Sequence, residues 1–134
     1  MCGEVMEAHR SLRNKMSDKA VFARAEAMER VGDDLDLLVC LATLYLEEQD
    51  EMIESLQRAV SESDAQALGA GAHKLKGTVA NFGAHACVEA TLCLETMARA
   101  DDLDGSEEAW ADLQLQLKKL SAELDALRNE GVRQ

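Results

Sequence analysis

Six residues, Ala72-His73-Lys74-Leu75-Lys76-Gly77, leave one imidazole unusually free to do chemistry. A neutral imidazole is a nucleophile, and a ring with an unperturbed pKa of about 6.5 is largely neutral near pH 7. On a helix the neighbours of His73 lie three and four positions away, where the sequence has Gly69, Ala70, Lys76 and Gly77. Three of these carry no side chain beyond a methyl, so a large, flat partner can reach the ring. Lys76, one turn along, can balance negative charge developing on phosphoryl oxygens, which is the electrostatic help that phosphoryl transfer mostly uses. Direct acceptance of a phosphoryl group by His73 is the chemistry these residues favour.

The glycines need a reason, because each one inside a helix costs about 1 kcal/mol relative to alanine. Clearance around His73 accounts for Gly69 and Gly77. For Gly71, close packing against a neighbouring helix competes with that reading.

Other chemistries find little support. The chain has no phosphate-binding glycine loop, no serine-histidine-acid set and no cluster of acids and histidines at metal-ligand spacing. His85 and Glu89 lie four apart, but two ligands without a third do not make a metal site, and no metal is expected. His9 falls in the N-terminal stretch. Cys2, Cys40, Cys87 and Cys93 form no Cys-x-x-Cys pair, and the last three lie within or beside apolar helical faces, so they read as reduced thiols. Any further catalytic groups must come from a partner.

The elements that would position His73 are helical. There are no prolines, only 3 % aromatics and abundant Ala, Leu, Glu and Met, and no stretch alternates apolar and polar residues as a half-buried strand would. Residues 1–19 lack a sustained apolar period and read as an N-terminal extension without assigned function. Val21, Ala25 and Met28 fit a short helix over 20–31, ended by Gly32 with Asp33 and Asp34. A long helix follows from about Asp34 to Ser61, with Leu38, Leu41, Tyr45, Met52 and Leu56 on one stripe that Glu48 and Gln49 interrupt, where a helix can kink. Ser63 followed by Gln66 resembles a capping box, opening a helix whose stripe is Leu68, Ala72, Leu75, Val79 and Phe82. His73 is rotated about 100° from Ala72, off that stripe. Asn81-Phe82-Gly83 is a turn, and Cys87, Thr91, Leu94 and Met97 mark a helix returning antiparallel. Residues 101–105 form a polar loop, with Ser106 as a cap. Trp110, Leu113, Leu117, Leu120, Leu124 and Leu127 then alternate steps of three and four along the last helix. The expected fold is all-α, an antiparallel four-helix bundle over 20–130 with an additional short N-terminal helix, and a C-terminal tail over 131–134.

At 134 residues with 47 % hydrophobic content, the chain makes one domain with one core, and it has no run of 18 or more apolar residues to span a membrane. The start of the sequence lacks a basic-then-apolar leader, so a cytoplasmic location is expected. A net charge of −12 argues against nucleic acid and anionic membrane as partners. Between Asp64 and Ala84, however, one acid stands against Lys74 and Lys76, giving a small basic site on an acidic body.

His73-x-Leu75-Lys76-Gly77, followed by Asn81-Phe82-Gly83-Ala84 and Leu94-Glu95, resembles the histidine-containing phosphotransfer (HPt) domains of phosphorelays. Arg30-Val31-Gly32-Asp33 and Leu44-Tyr45-Leu46-Glu47-Glu48 extend the likeness upstream, so that it covers about 20–127. The resemblance implies that His73 takes a phosphoryl group from a receiver-domain aspartate of a hybrid sensor kinase and passes it to the receiver aspartate of a response regulator. Such a protein is a phosphocarrier and not a kinase: it binds no cofactor of its own, and Mg²⁺ and most catalytic residues belong to the receivers. By the same likeness Lys76 is the phosphate-side cation, Gly77 with Gly69 gives clearance, and Lys74, Leu75, Ala80, Phe82 and Gly83 fringe the docking surface. Some members set a polar residue beside the histidine from the facing helix. Counting through the hairpin brings Glu95 and Arg99 there, unless they form only a surface i,i+4 pair. Cys87 and Thr91 replace bulkier apolar residues, and the proline many members carry near Gln49 is missing. A monomer is expected. A receiver-binding module of the same fold that carries no phosphate is the alternative.

Overall fold

A computed structural model describes residues 20–133, and the side-chain surroundings of 20–130. The extension read over 1–19 and the terminal Gln134 lie outside the described residues. The described residues are all-helical, without strands: α1 (Arg24–Arg30), α2 (Leu35–Ser61), α3 (Ala65–Ala80), α4 (His85–Arg99) and α5 (Ser106–Arg133). α5 thus runs on through the stretch read as a tail, as far as Arg133. None of the described helices is long and apolar enough to cross a membrane.

Local chemistry sets the boundaries. Asp34 caps α2, its carboxylate accepting from the Leu37 N–H at 3.1 Å, and α2 then runs as one unbroken helix past Gln49. The polar interruption at Gln49 is an interhelical contact, for its Oε1 accepts from Ser121 Oγ of α5 at 2.5 Å. The cap of α3 differs from the expected capping box. Asp64, not Ser63, accepts from the Ala67 N–H at 3.1 Å. Ser63 instead sits at φ 51°, in the left-handed turn that lets the Asp64 N–H bond back to Ala59 O at 2.9 Å.

The helix expected over 20–31 begins only at Arg24, because residues 20–23 are tied to the α3–α4 connection. Ala86 N–H donates to Ala20 O at 3.1 Å, and Ala23 N–H to Phe82 O at 3.3 Å. That connection is the expected turn at 81–83. Gly83 is required there twice over, since it has φ 60° and a Cβ would come within 2.9 Å of both Ala23 Cβ and Glu26 Oε2.

α2 packs on α3 and α5, α4 packs on α3 and α5, and α1 leans on α2. One core fills the interior, with Leu38, Tyr45 and Leu56 of α2 and Leu68, Ala72, Leu75 and Val79 of α3 facing Leu94 and Met97 of α4. All six members of the expected α5 seam, Trp110 through Leu127, are buried. Each fully buried leucine contributes about 1.5–3 kcal/mol of transfer free energy, so α5 anchors the interior while α3 can leave one face bare.

Candidate functional site

His73 stands at mid-length on the outer face of α3, with its side chain 67 % exposed. Its neighbour Ala72 is fully buried, as the 100° rotation between them requires. Across from it, α4 points Glu95 into the α3–α4 interface, where that carboxylate is only 1 % exposed. α4 comes this close because α3 is slim at this point: a Cβ on Gly69 would lie 3.3 Å from Ala98 Cβ. Gly69 therefore serves helix approach, a packing role beyond the clearance expected from sequence. Gly71 does the same toward α2, where a Cβ would meet Leu56 Cδ2 at 2.9 Å. Gly77 is different, for a Cβ there would find nothing within 4 Å. The fold does not need that glycine, and its bareness leaves open space one turn beyond His73.

Glu95 gathers three donors. His73 Nδ1 lies 2.7 Å from Oε2, Lys76 Nζ donates to Oε1 at 2.5 Å, and Arg99 Nη2 donates to Oε2 at 3.1 Å. The bond from Lys76 does most to hold the Glu95 carboxyl below the ordinary carboxylate range, against the opposing effect of burial, with His73 and Arg99 adding to it. An ionised carboxylate can only accept, so a neutral His73 ring must meet it with the proton on Nδ1. That tautomer leaves Nε2 as the unprotonated nitrogen with a free lone pair, on a side chain mostly open to solvent. The arrangement thus fixes which nitrogen is nucleophilic.

Four residues singled out from sequence, His73, Lys76, Glu95 and Arg99, come together here. The Arg99–Glu95 contact is an i,i+4 pair as well as part of the cluster. Lys76 is only 27 % exposed and engages Glu95, so its ammonium lies beside the ring with its charge already partnered.

The expected docking fringe needs correction. Leu75 and Phe82 are each 1 % exposed and belong to the core, and Gly83 is buried under Ala23 and Glu26. None of these three can meet a partner. Leu75 lies on the apolar stripe that α3 buries, and Phe82 inserts its ring edge-on against Tyr45, with centroids 5.8 Å apart. Ala80 is half-buried, and Lys74 is exposed. Sequence reasoning passed over Leu92, which is 40 % exposed and one turn before Glu95 on α4. Its signal was available: Leu92 falls off the buried α4 positions Cys87, Thr91, Leu94 and Met97.

Of the remaining candidates, His9 and Cys2 lie outside the described residues. His85 pairs with Glu26 of α1, its Nε2 lying 2.9 Å from a carboxylate oxygen, and not with Glu89. Among the described residues no group of three or more His, Cys, Asp or Glu could hold a metal ion. Cys87 is buried, and desolvation pushes its thiol up to about 12, far from a reactive thiolate.

The model of the family described as Hpt domain matches residues 41–130, well over half of the chain and the whole of the site. This protein belongs to the Hpt domain family. Among solved structures, this Hpt domain is similar to histidine-containing phosphotransfer protein B (HptB) from Pseudomonas aeruginosa PAO1, with a TM-score of 0.75 over 81 % of this chain and 95 % of that one. The two share 22 % sequence identity, so their likeness is one of fold. A comparison with curated proteins finds no match.

Proposed function

We propose that this Hpt domain is a phosphocarrier of a phosphorelay. Nε2 of His73 accepts a phosphoryl group from the phosphorylated aspartate of a hybrid sensor kinase's receiver domain and passes it to the receiver aspartate of a response regulator. The observation that carries this reading is a mostly exposed imidazole whose Nδ1 is held by a buried carboxylate, leaving Nε2 free. Membership of the Hpt family supports the same reading.

The four long helices form an antiparallel four-helix bundle, with α1 as an added short helix, and that bundle acts as a rigid post for one imidazole. The protein works as a cytoplasmic monomer without kinase activity of its own. Mg²⁺ and the groups that activate the aspartyl phosphate come from the receivers. Lys74 next to His73, the bare Gly77 one turn beyond it and Leu92, exposed one turn before Glu95, fringe the docking surface. Lys76 shifts from Glu95 toward the phosphoryl oxygens as the group arrives. Such a surface is small, as suits a carrier that must release each partner.

The test is transfer of label from phosphorylated receivers to the full chain, wild type beside His73→Gln. Label on the wild type alone is the expected result. Label retained by a folded His73→Gln variant overturns the assignment, and absence of label from both with active donors favours a receiver-binding module that carries no phosphate.

A further inference from the structure

Fixing the tautomer of His73 requires only a hydrogen-bond acceptor at Nδ1, and a neutral amide would serve. The site instead places a full carboxylate there, buried to 1 % exposure at 2.7 Å from the ring nitrogen. We infer that the negative charge of Glu95 is what keeps the Nδ1 proton on His73 while Nε2 carries the phosphoryl group, and so sets the lifetime of the phosphorylated state and its dependence on pH. The inference rests on the phosphocarrier reading, and it makes Glu95 a positioning residue that acts through His73.

The bonds involved account for themselves. The Nε2 lone pair forms the N–P bond as the P–O bond of the aspartyl phosphate breaks, the electron pair leaving with the donor carboxylate. The ring retains its Nδ1 proton and becomes positively charged, facing Glu95 Oε2. On transfer onward the N–P bond breaks, its pair returns to Nε2, and the leaving group is neutral imidazole. No proton enters or leaves the ring in either direction. A phosphorylated ring that lost the Nδ1 proton would have to leave as imidazolate, a much poorer leaving group, and would wait for reprotonation. A carboxylate facing the cationic ring opposes that loss, whereas an amide would oppose it much less.

Other charges near the ring bear on the same balance. On α3, Lys76 shares the Glu95 carboxylate through Oε1, and Lys74 is exposed next to His73. On α4, Arg99 competes for Oε2, the oxygen that His73 uses. From α2, Glu48 and Glu51 line a groove with Lys74 and Gly71. Arg99 therefore offers a change opposite in sign to a change at Glu95: removing it leaves more of Oε2 to the ring.

The experiment loads the full chain with phosphate in two ways, from phosphorylated receivers and chemically with phosphoramidate, for wild type, Glu95→Gln and Arg99→Gln. Phosphorus NMR then follows the titration of phosphohistidine, alongside its hydrolysis lifetime from mildly acidic to alkaline pH. Glu95→Gln is expected to lower the inflection by about one unit, which makes hydrolysis above it roughly tenfold slower; Arg99→Gln is expected to shift the inflection upward. Unchanged inflections overturn the inference, as does a shift of the same sign in both variants. If Glu95→Gln loses its helical signal, the direction of the Arg99→Gln shift decides. Wild type that takes phosphate from phosphoramidate but from no receiver fails the phosphocarrier reading, while the titrations of the loaded ring still judge Glu95.

Discussion

Glu95 and Tyr45 each bring oxygen atoms into the interior, one at the α3–α4 face and the other beneath the turn that joins those helices. Glu95 is met by three donors, one of them an exposed histidine. The Tyr45 hydroxyl is buried and reaches no hydrogen-bond partner among the described residues, and its surroundings are Phe82 and the thiol of Cys87. A buried charge rarely stabilises a fold more than a well-packed apolar side chain would. Its retention at Glu95, with every donor aimed at it, therefore points to a use beyond stability. Tyr45 shows the opposite case, a ring that fills core volume and whose hydroxyl has no hydrogen-bond partner among the described residues.

The Tyr45 region should accordingly respond to changes in packing and be indifferent to chemistry. The most damaging test is Phe82→Ala, which removes the ring stacked edge-on against Tyr45. Truncating a fully buried phenylalanine costs about 3–5 kcal/mol, read as a lowered denaturation midpoint. Phosphate acceptance per folded molecule should stay at the wild-type level. A selective loss of acceptance without loss of stability would restore Phe82 to the docking surface.

The Glu95 region should instead respond through charge. The Glu95 carboxyl titrates below its ordinary 4.5 in the folded protein, with the Lys76 bond as the largest cause. A depressed carboxylate pKa contributes stability that is present above the unfolded value and lost as pH falls through the folded one. Lys76→Met leaves a buried carboxylate with two exposed donors, so it should destabilise by about 1–3 kcal/mol at neutral pH. In acid, where Glu95 is protonated in both proteins, the gap between variant and wild type should narrow. Denaturant unfolding at the two pH values checks this, and an equal loss at both would show that Lys76 acts only through packing of its stem.

How much of this was visible in the sequence follows from the same contrast. His73, Lys76 and Gly77 are neighbours on one helix, so their relation is set by helical geometry and could be read directly. Glu95 and Arg99 were placed near the histidine by counting through a short hairpin, but the burial of Glu95 and its three donors depends on how closely α3 and α4 approach. That approach rests on the Gly69–Ala98 contact, and a single sequence does not say which glycine serves packing and which serves access. The family likeness set Leu75 and Phe82 on the docking fringe, whereas the helical period placed both on the apolar stripe, and their burial follows the period. A rotation of 100° per residue turns Leu75 into the core, on the stripe with Leu68, Ala72 and Val79. The α3 cap shifted by one residue because Ser63 and Asp64 are both competent caps, and the left-handed turn at Ser63 leaves the task to Asp64.

The smallest expected effect belongs to the Tyr45 hydroxyl. Tyr45→Phe deletes one oxygen and keeps the ring that meets Phe82. That oxygen is buried with no hydrogen-bond partner among the described residues, and burial raises its pKa well beyond the ordinary tyrosine value, so it stays a neutral phenol. Leaving a buried hydroxyl unpaired costs free energy, whereas an apolar group of the same shape does not incur that cost. The phenylalanine variant should then be as stable as wild type, or more stable by up to about 1 kcal/mol, with a thermal midpoint that is equal or higher. The titration of phosphohistidine should be unmoved, because the site owes its electrostatics to Glu95, Lys76 and Arg99. A loss of stability on removing this hydroxyl would mean that it is partnered in solution, by an ordered water or by Cys87. Tyr45 would then join Glu95 as a satisfied polar group, and the distinction between the two regions would rest on charge alone.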